Sequence, residues 1–488
     1  MNPGTPLELL RLTLPEIVVA FSGLIALTLD LTAMQRRQLA IRWRVGAIVA
    51  CVGPAVAILL LVMRPEQASL FEGMLVVNSI SQLLQIVLAG FTIFAVLLSI
   101  PSEFTSHVGE YLGIVLFASA AMMVLVSTQN LLVIFASLEL LSLSLYVLTG
   151  FDKRSRQSAE AALKYFLFGG MAAAFFLFGI SLLYGLSGSI ELKEIAGAIS
   201  AHGLTPMLAV ALVMTVTGLG FKVAAAPFHL WAPDAYQGAP TPSAAYIASA
   251  SKIASFFLFA MVITLGFTAG ASHNWHAPVL IGLIAAISMV LGNLAAIVQS
   301  SVRRLLAYSA IGHAGYMLLG IVSNNTPGLS SLLYYVITYA LATIGAFGVL
   351  AAVEKQSIDR LADFAGLSRR SPWLSFCMMI FLLSLAGIPP LAGFFGKFYI
   401  FSAAIASDEK WLWLVILAIA MSAVSLYYYL RVLKQIYVKD SSADASRIET
   451  TFAMRATVGL IAALVVVLGC FPNLLLGWID AALRVMPR

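Results

Sequence analysis

Charge is what this sequence has least of. Of 488 residues, 28 are Lys or Arg and 22 are Asp or Glu, so 10% of the chain is charged, against about 25% in an ordinary soluble domain. Cysteine is scarcer still. Cys51, Cys377 and Cys470 stand far apart in apolar runs with no C-x-x-C spacing, so neither an iron–sulfur cluster nor a zinc site can be argued from them. No metal centre is expected, and any redox centre belongs to another chain. The formal net charge of +6 comes without a basic stripe and interleaved aromatics, which excludes nucleic acid as a partner. What fills the chain instead is apolar: 61% of it is hydrophobic. The first partner of such a sequence is the lipid bilayer, and its fold class is an all-α polytopic membrane protein.

A span criterion of about 20 apolar residues gives fourteen candidate helices, near 12–32, 43–63, 76–99, 110–126, 130–149, 159–185, 206–233, 242–267, 277–298, 304–321, 329–353, 373–405, 410–430 and 453–479. The first is expected to stay in the mature chain, because Glu16 interrupts it and no small-residue cleavage site follows. Orientation follows from the loops, since Lys and Arg are retained on the cytoplasmic side. Alternate loops, among them "QRRQLAIRWR", "DKRSRQ" and the stretch ending in "GLSRRSP", hold eighteen basic residues, and the opposite face holds six: Arg11, Arg64, Lys193, Lys410, Arg484 and Arg488. Both termini are therefore expected on the periplasmic side.

The remaining four, Lys164, Lys222, Lys252 and Lys397, lie inside spans, where a charge costs about 2.5–3.5 kcal/mol even on a lenient scale. At about 1.5 Å per residue, Lys252 falls roughly 15 Å past Pro242, Glu139 roughly 13 Å past Asn130, and Lys397 roughly 17 Å before Asp408, all near the midplane. Glu139 alone cannot form ion pairs with three buried lysines. Lys164 lies nearer the cytoplasmic end of its helix, where a lysine can also snorkel to water, and both readings stay open.

Two of these helices are interrupted. Pro227 follows Lys222 by five residues, and its missing N–H frees a carbonyl one turn back, near Val223. Pro389 and Pro390 do the same ahead of Lys397 in "LAGIPPLAGFFGKF". Broken helices at membrane depth line polar cavities and mark ion paths. A repeat underlies the pattern: Glu139 to Lys222 is 83 residues and His313 to Lys397 is 84, so an offset of 174–175 superposes the two pairs, and an offset of 175 carries Lys252 onto Tyr427. Five spans per copy is an odd number, so the second copy is inverted relative to the first. The expected organisation is three N-terminal spans (1–105), a first five-helix repeat (106–270), a second, inverted repeat (271–440), and a loop with a last span (441–488).

"FASLELLSLSLYVLTG", "GFKVAAAPFHLWAPDAYQGAPTPSAAYIASASKIA", "RRLLAYSAIGHAGYMLLG" and "DFAGLSRRSPWLSFCMMIFLLSLAGIPPLAGFFGKF" resemble the N subunit of bacterial proton-pumping NADH:quinone oxidoreductase, respiratory complex I, over nearly the whole chain. The resemblance implies that Glu139 is the acid of the fifth helix, Lys222 the lysine of the broken seventh, Lys252 that of the eighth and Lys397 that of the broken twelfth. His229 and His313 match polar positions on the same axis. A satisfied core histidine is the competing reading for each. His107, His202, His273 and His276 fall in loops and are expected to be solvated.

The resemblance implies a proton wire. A desolvated ammonium gives up its proton more readily and a nearby carboxylate holds it. A Glu139–Lys222 pair at about 4 Å would be worth on the order of 4 kcal/mol. Protons would pass from Lys222 through Lys252 and ordered water to Lys397, with His313 between, driven by quinone reduction elsewhere. No cofactor is expected in this chain: NADH, FMN, iron–sulfur clusters and quinone would be bound by other subunits. The implied neighbours are the M-type antiporter-like and K-type small subunits, in the bacterial inner membrane. A subunit of a multi-component cation/proton antiporter or membrane-bound hydrogenase shares the broken-helix lysines, but "WAPDAYQGAPTP" and "GLSRRSP" look like the N subunit. The L-type sister is disfavoured because no long lateral helix follows the fourteenth span. An independent solute transporter is disfavoured because the midplane charges form a spaced chain and not a cluster.

Overall fold

Polar residues start most of the helices. In the computed structural model, which describes residues 6–63, 66–101, 104–202, 205–268, 277–354, 359–440 and 448–484, the side chains of Asn78, Asn130, Ser155, Thr205, Ser301, Asn325 and Thr451 each accept a backbone N–H in the first turn of a helix. Each satisfies one of the backbone donors that a helix start leaves without an intrahelical partner.

The N-terminal group is α1 (Pro6–Leu12), α2 (Leu14–Thr32), α3 (Leu39–Met63), a short hairpin of β1 (Ala68–Leu70) and β2 (Leu75–Val77), and α4 (Ser79–Ser99). A first series follows: α5 (Val108–Leu125), α6 (Leu131–Thr149), α7 (Arg156–Ser187), α8 (Leu192–His202), the halves α9 (Pro206–Lys222) and α10 (Trp231–Gly238), then α11 (Thr241–Ala248) and α12 (Ala250–Met261), extended by a π-helical turn. The second series is α13 (Ala277–Ile297), α14 (Val302–Val322), α15 (Thr326–Val353), the four-residue α16 (Leu367–Arg370), the halves α17 (Pro372–Ala386) and α18 (Ala392–Ser407), and α19 (Leu412–Tyr437). Helices α20 (Phe452–Cys470) and α21 (Asn473–Arg484) close the chain.

Twelve helical stretches among the described residues are long and apolar enough to cross a membrane. The two broken helices, α9 with α10 and α17 with α18, complete the fourteen expected. Three expectations need correction. The third span starts at Ser79, because residues 75–77 pair in the hairpin and Asn78 caps the helix. The last span ends at Cys470, because Pro472 cannot continue it, and α21 is a separate amphipathic helix that buries Leu475, Ile479 and Leu483 while exposing Leu474 and Trp478. His202 ends helix α8 and is not in a loop. Arg64, His273, His276, Lys355, Arg447 and Arg488 lie outside the described residues.

Helices α14 and α15 are buried along almost their whole length, and α15 packs against elements of both series and α20. The outer helices carry exposed Leu, Ile, Phe and Val, such as Leu163, Phe166, Leu167 and Met171 on α7, the pattern of a surface solvated by lipid. Close approach at the α13–α14 contact depends on Gly292, where a Cβ would lie 2.3 Å from the backbone nitrogen of Gly312.

Candidate functional site

The broken helices decide where the lysines sit. Helix α9 stops at Lys222, the chain turns through Val223–Leu230 with a cis Ala226–Pro227 bond and Ala224 at φ +53°, and α10 begins at Trp231. Helix α17 stops at Ala386, Gly387 takes φ +88°, Pro389–Pro390 is cis, and α18 begins at Ala392. Each first half therefore ends inside the protein with carbonyls that no helical N–H can reach.

A lysine occupies one of those carbonyls in each series. The ammonium of Lys252, 1% exposed, donates to the carbonyl of Val223 at 2.5 Å. The ammonium of Lys397 donates to the carbonyl of Ala386 at 2.9 Å and to the Ser422 hydroxyl at 2.8 Å. Aromatic faces cover both cations: Lys252 Nζ lies 5.9 Å from the Trp231 ring and Lys397 Nζ 5.2 Å from that of Tyr316. A cation at the negative end of a half-helix is favourable as well as hydrogen-bonded. By what they touch, Lys252 and Lys397 are counterparts, although the sequence offset pairs Lys397 with Lys222. Lys222 stands before its break and Lys397 after.

The expected Glu139–Lys222 ion pair is absent among the described residues, with 4.0 Å as the limit. Lys222 donates instead to the hydroxyl of Ser142 on α6, which itself donates to the carbonyl of Leu138. Glu139 is half-buried beside the exposed Leu140 and Leu143 and acts on Lys222 only through space.

His313 on α14 is 2% exposed and fully partnered: Nδ1 meets the Tyr335 hydroxyl at 2.8 Å and Nε2 that of Tyr429 at 3.1 Å, with the Tyr339 ring 4.9 Å away. Tyr429 also shares a hydrogen bond with Ser309. Beside this group, Tyr428 donates to Asn293 Oδ1 at 3.0 Å, and Asn293 donates to the Tyr316 hydroxyl at 3.0 Å, under Lys397. The Tyr236 and Tyr339 hydroxyls are buried and unpartnered among the described residues. His229 lies within the first break, buried, and its Nδ1 has no partner among the described residues.

Two expected positions fall elsewhere. Lys164 neither snorkels freely nor joins the buried chain: it pairs with Glu160 at 2.8 Å and Asp234 at 3.0 Å, and Asp234 also binds Arg304 at 2.6 Å. That network ties α7, α10 and α14 together. Tyr427 is 58% exposed, whereas Tyr428 and Tyr429 are buried, so the inward places on α19 fall one residue later than the offset suggests. Ser142, Ser422, Asn293, Tyr335 and Tyr429 are site residues that sequence reasoning missed. Among them only Asn293, a lone amide in an apolar run, carried a usable signal.

Among the described residues no group of three or more His, Cys, Asp or Glu is placed to hold a metal. What the site offers is a row of buried hydroxyls, carbonyls, imidazole and ammonium groups, chemistry suited to holding and passing protons.

Residues 128–422 match the family model described as NADH:quinone oxidoreductase/Mrp antiporter, TM. The chain is 53% identical to NADH-quinone oxidoreductase subunit N 2 of Acidobacterium capsulatum over 98% of its own length and all of that protein. It is similar to a chain of respiratory complex I from Thermus thermophilus, 35% identical, with a TM-score of 0.81, covering 96% of this chain and 100% of that one. A chain of the Mrp complex from Dietzia sp. shares the fold at a TM-score of 0.82 over 96% of each chain, with 19% identity.

Proposed function

Because the chain belongs to the N subunits of NADH-quinone oxidoreductase, we propose that it moves protons across the bilayer through Glu139, Lys222, Lys252, His313 and Lys397, driven by quinone reduction in other subunits of the complex. It is a multi-span membrane component of a translocase. The observation that carries the reading is the nature of the lysine partners. Lys222, Lys252 and Lys397 are held by hydroxyls and backbone carbonyls, and among the described residues no carboxylate locks any of them as a permanent ion pair. A buried ammonium with neutral partners can lose its proton without leaving an uncompensated carboxylate behind.

The proposed route begins at Lys222, passes to Lys252 on the carbonyl of the very next residue, crosses the Tyr236 and Tyr339 hydroxyls to His313, and reaches Lys397, which lies within electrostatic range of that imidazole. Glu139 acts as the switch from outside hydrogen-bond distance: a change in its charge alters how firmly Lys222 keeps its proton. His229, in the break, is a secondary group on the same path, and Lys164 supports it by fixing Asp234 on α10. Residues 106–270 and 271–440 serve as the two half-channels. The basic loops face the cytoplasm and both chain ends the periplasm, in the inner membrane beside the M-type and K-type subunits. NADH, FMN, iron–sulfur clusters and quinone are bound by other chains.

Lys222→Ala in the assembled complex tests this. An apolar residue is cheaper at that depth, so assembly persists, while NADH-driven proton uptake and quinone reduction in vesicles both fall sharply. Normal pumping with normal assembly contradicts a carrier role for Lys222, and lost assembly assigns its charge a structural role.

A further inference from the structure

Glu16 is a buried carboxyl that the lysine axis leaves unused. It stands in the first turn of α2, 5% exposed, and no basic side chain pairs with it among the described residues. Its Oε1 accepts from the Gln85 amide on α4 at 2.5 Å, and the same amide nitrogen donates to the carbonyl of Met123 on α5 at 3.2 Å. Its Oε2 is buried without a hydrogen-bond partner. A cavity of about 30 Å³ reaches Pro15, the residue before Glu16, and Gln85, its hydrogen-bond partner. That volume holds about two waters. Leu60 and Leu61 of α3 and Gln82 of α4 line it further in, and Arg11 and Glu66, which pair with each other at 2.5 Å, stand at its mouth on the membrane face where the chain begins.

We propose that Glu16 is a proton-binding site, separate from the lysine axis, which holds a carboxylic acid and exchanges its proton with the aqueous face through this cavity. Three observations converge on a proton as the ligand. The first is burial without a counter-charge: an ionised carboxylate taken out of water loses far more than the start of a helix restores to it. In the neutral form Oε2 carries the proton, and a buried hydroxyl is far less costly than a buried charge. The second is the orientation of Gln85. Its amide nitrogen serves both Glu16 and the Met123 carbonyl, so the carboxyl meets a donor and not the ring of oxygen ligands that a hard metal cation requires. The third is the cavity, which brings water to within one residue of the acid.

Dicyclohexylcarbodiimide, an apolar reagent that requires a protonated carboxyl, tests the site in the assembled complex. The acid's proton passes to a carbodiimide nitrogen and its oxygen bonds to the central carbon. The acyl group then moves to nitrogen, leaving a stable N-acylurea with nothing released. Mass spectrometry should find that adduct on the peptide holding Glu16, in severalfold lower yield from alkaline than from mildly acidic medium. A charged, water-soluble carbodiimide should label the peptide far less. Glu16→Gln, neutral at every pH, should assemble normally and lose the adduct, and Leu60→Trp, which fills the cavity, should slow labelling severalfold. An absent adduct, a yield undiminished in alkaline medium, or failure of Glu16→Gln to assemble, which would show that the charge itself is needed, would overturn the proposal. Labelling at the unaltered rate in Leu60→Trp would overturn the route through the cavity.

Discussion

Lys252 donates its ammonium to the carbonyl oxygen of Val223 across 2.5 Å, from the neighbouring helix onto the end of the broken one. Val223 immediately follows Lys222, so two lysines of the axis meet at one helix terminus: one ends the helix and the other satisfies the carbonyl that the end exposes. The same solution recurs at Ala386, where Lys397 makes the contact from within its own broken helix.

This contact should hold the first break in order. Lys252→Met keeps side-chain length and removes the donor, leaving a buried carbonyl unpaired at a cost of about 1–3 kcal/mol. Amide hydrogen exchange in residues 223–230 of the assembled complex should accelerate about tenfold, with proton uptake reduced. Unchanged exchange would show that the turn is held by other contacts, such as that of Ala226 N–H with the Ser288 hydroxyl at 2.8 Å.

Gly387 should be as sensitive as a lysine. It sits at φ +88°, and an added Cβ would lie 3.0 Å from Lys397 Cδ and 3.3 Å from its Nζ. Gly387→Ala therefore combines backbone strain of about 1 kcal/mol with displacement of the ammonium. Proton uptake should drop while the complex still assembles. Uptake at the normal rate would mean that the exact placement of Lys397 is unimportant.

The orientation can be read at one loop. Ser155 caps α7, its side chain accepting from the backbone of Ser158, so replacing it would cost about 1 kcal/mol of helix stability. Lys153 is exposed two residues earlier and makes a better probe. Lys153→Cys should react with a membrane-impermeant maleimide only from the cytoplasmic side, and labelling from the periplasm would reverse the proposed proton path.

Much of the fold was legible because the chain has so few charges: a lysine in an apolar run declares itself, and Pro227, lacking an N–H, marks Val223 as the residue whose carbonyl is left free. The partners were not legible. Serine is common in apolar helices, where its hydroxyl often bonds back to a carbonyl of its own helix, as Ser142 does to Leu138, and nothing in the sequence separates Ser142 or Ser422 from the rest. Glu139 and Ser142 stand three residues apart on one face of α6, so the sequence does not say which of them meets Lys222, and the hydroxyl makes the contact. Rotation explains Tyr427: a helix turns about 100° per residue, so a repeat offset in error by one residue exchanges an inward hydroxyl for an outward one.

The central claim is that the buried lysines work by changing protonation and not merely by being positive, and Lys397→Arg tests it most directly. Arginine retains the cation and can still donate to the carbonyl of Ala386 and to Ser422, but guanidinium does not release its proton in proteins. In inverted vesicles containing the assembled complex, verified by blotting, NADH-driven proton uptake should fall about tenfold or more, with quinone reduction falling alongside it. Proton uptake at the unaltered rate in that variant would contradict the account and leave Lys397 a fixed electrostatic element.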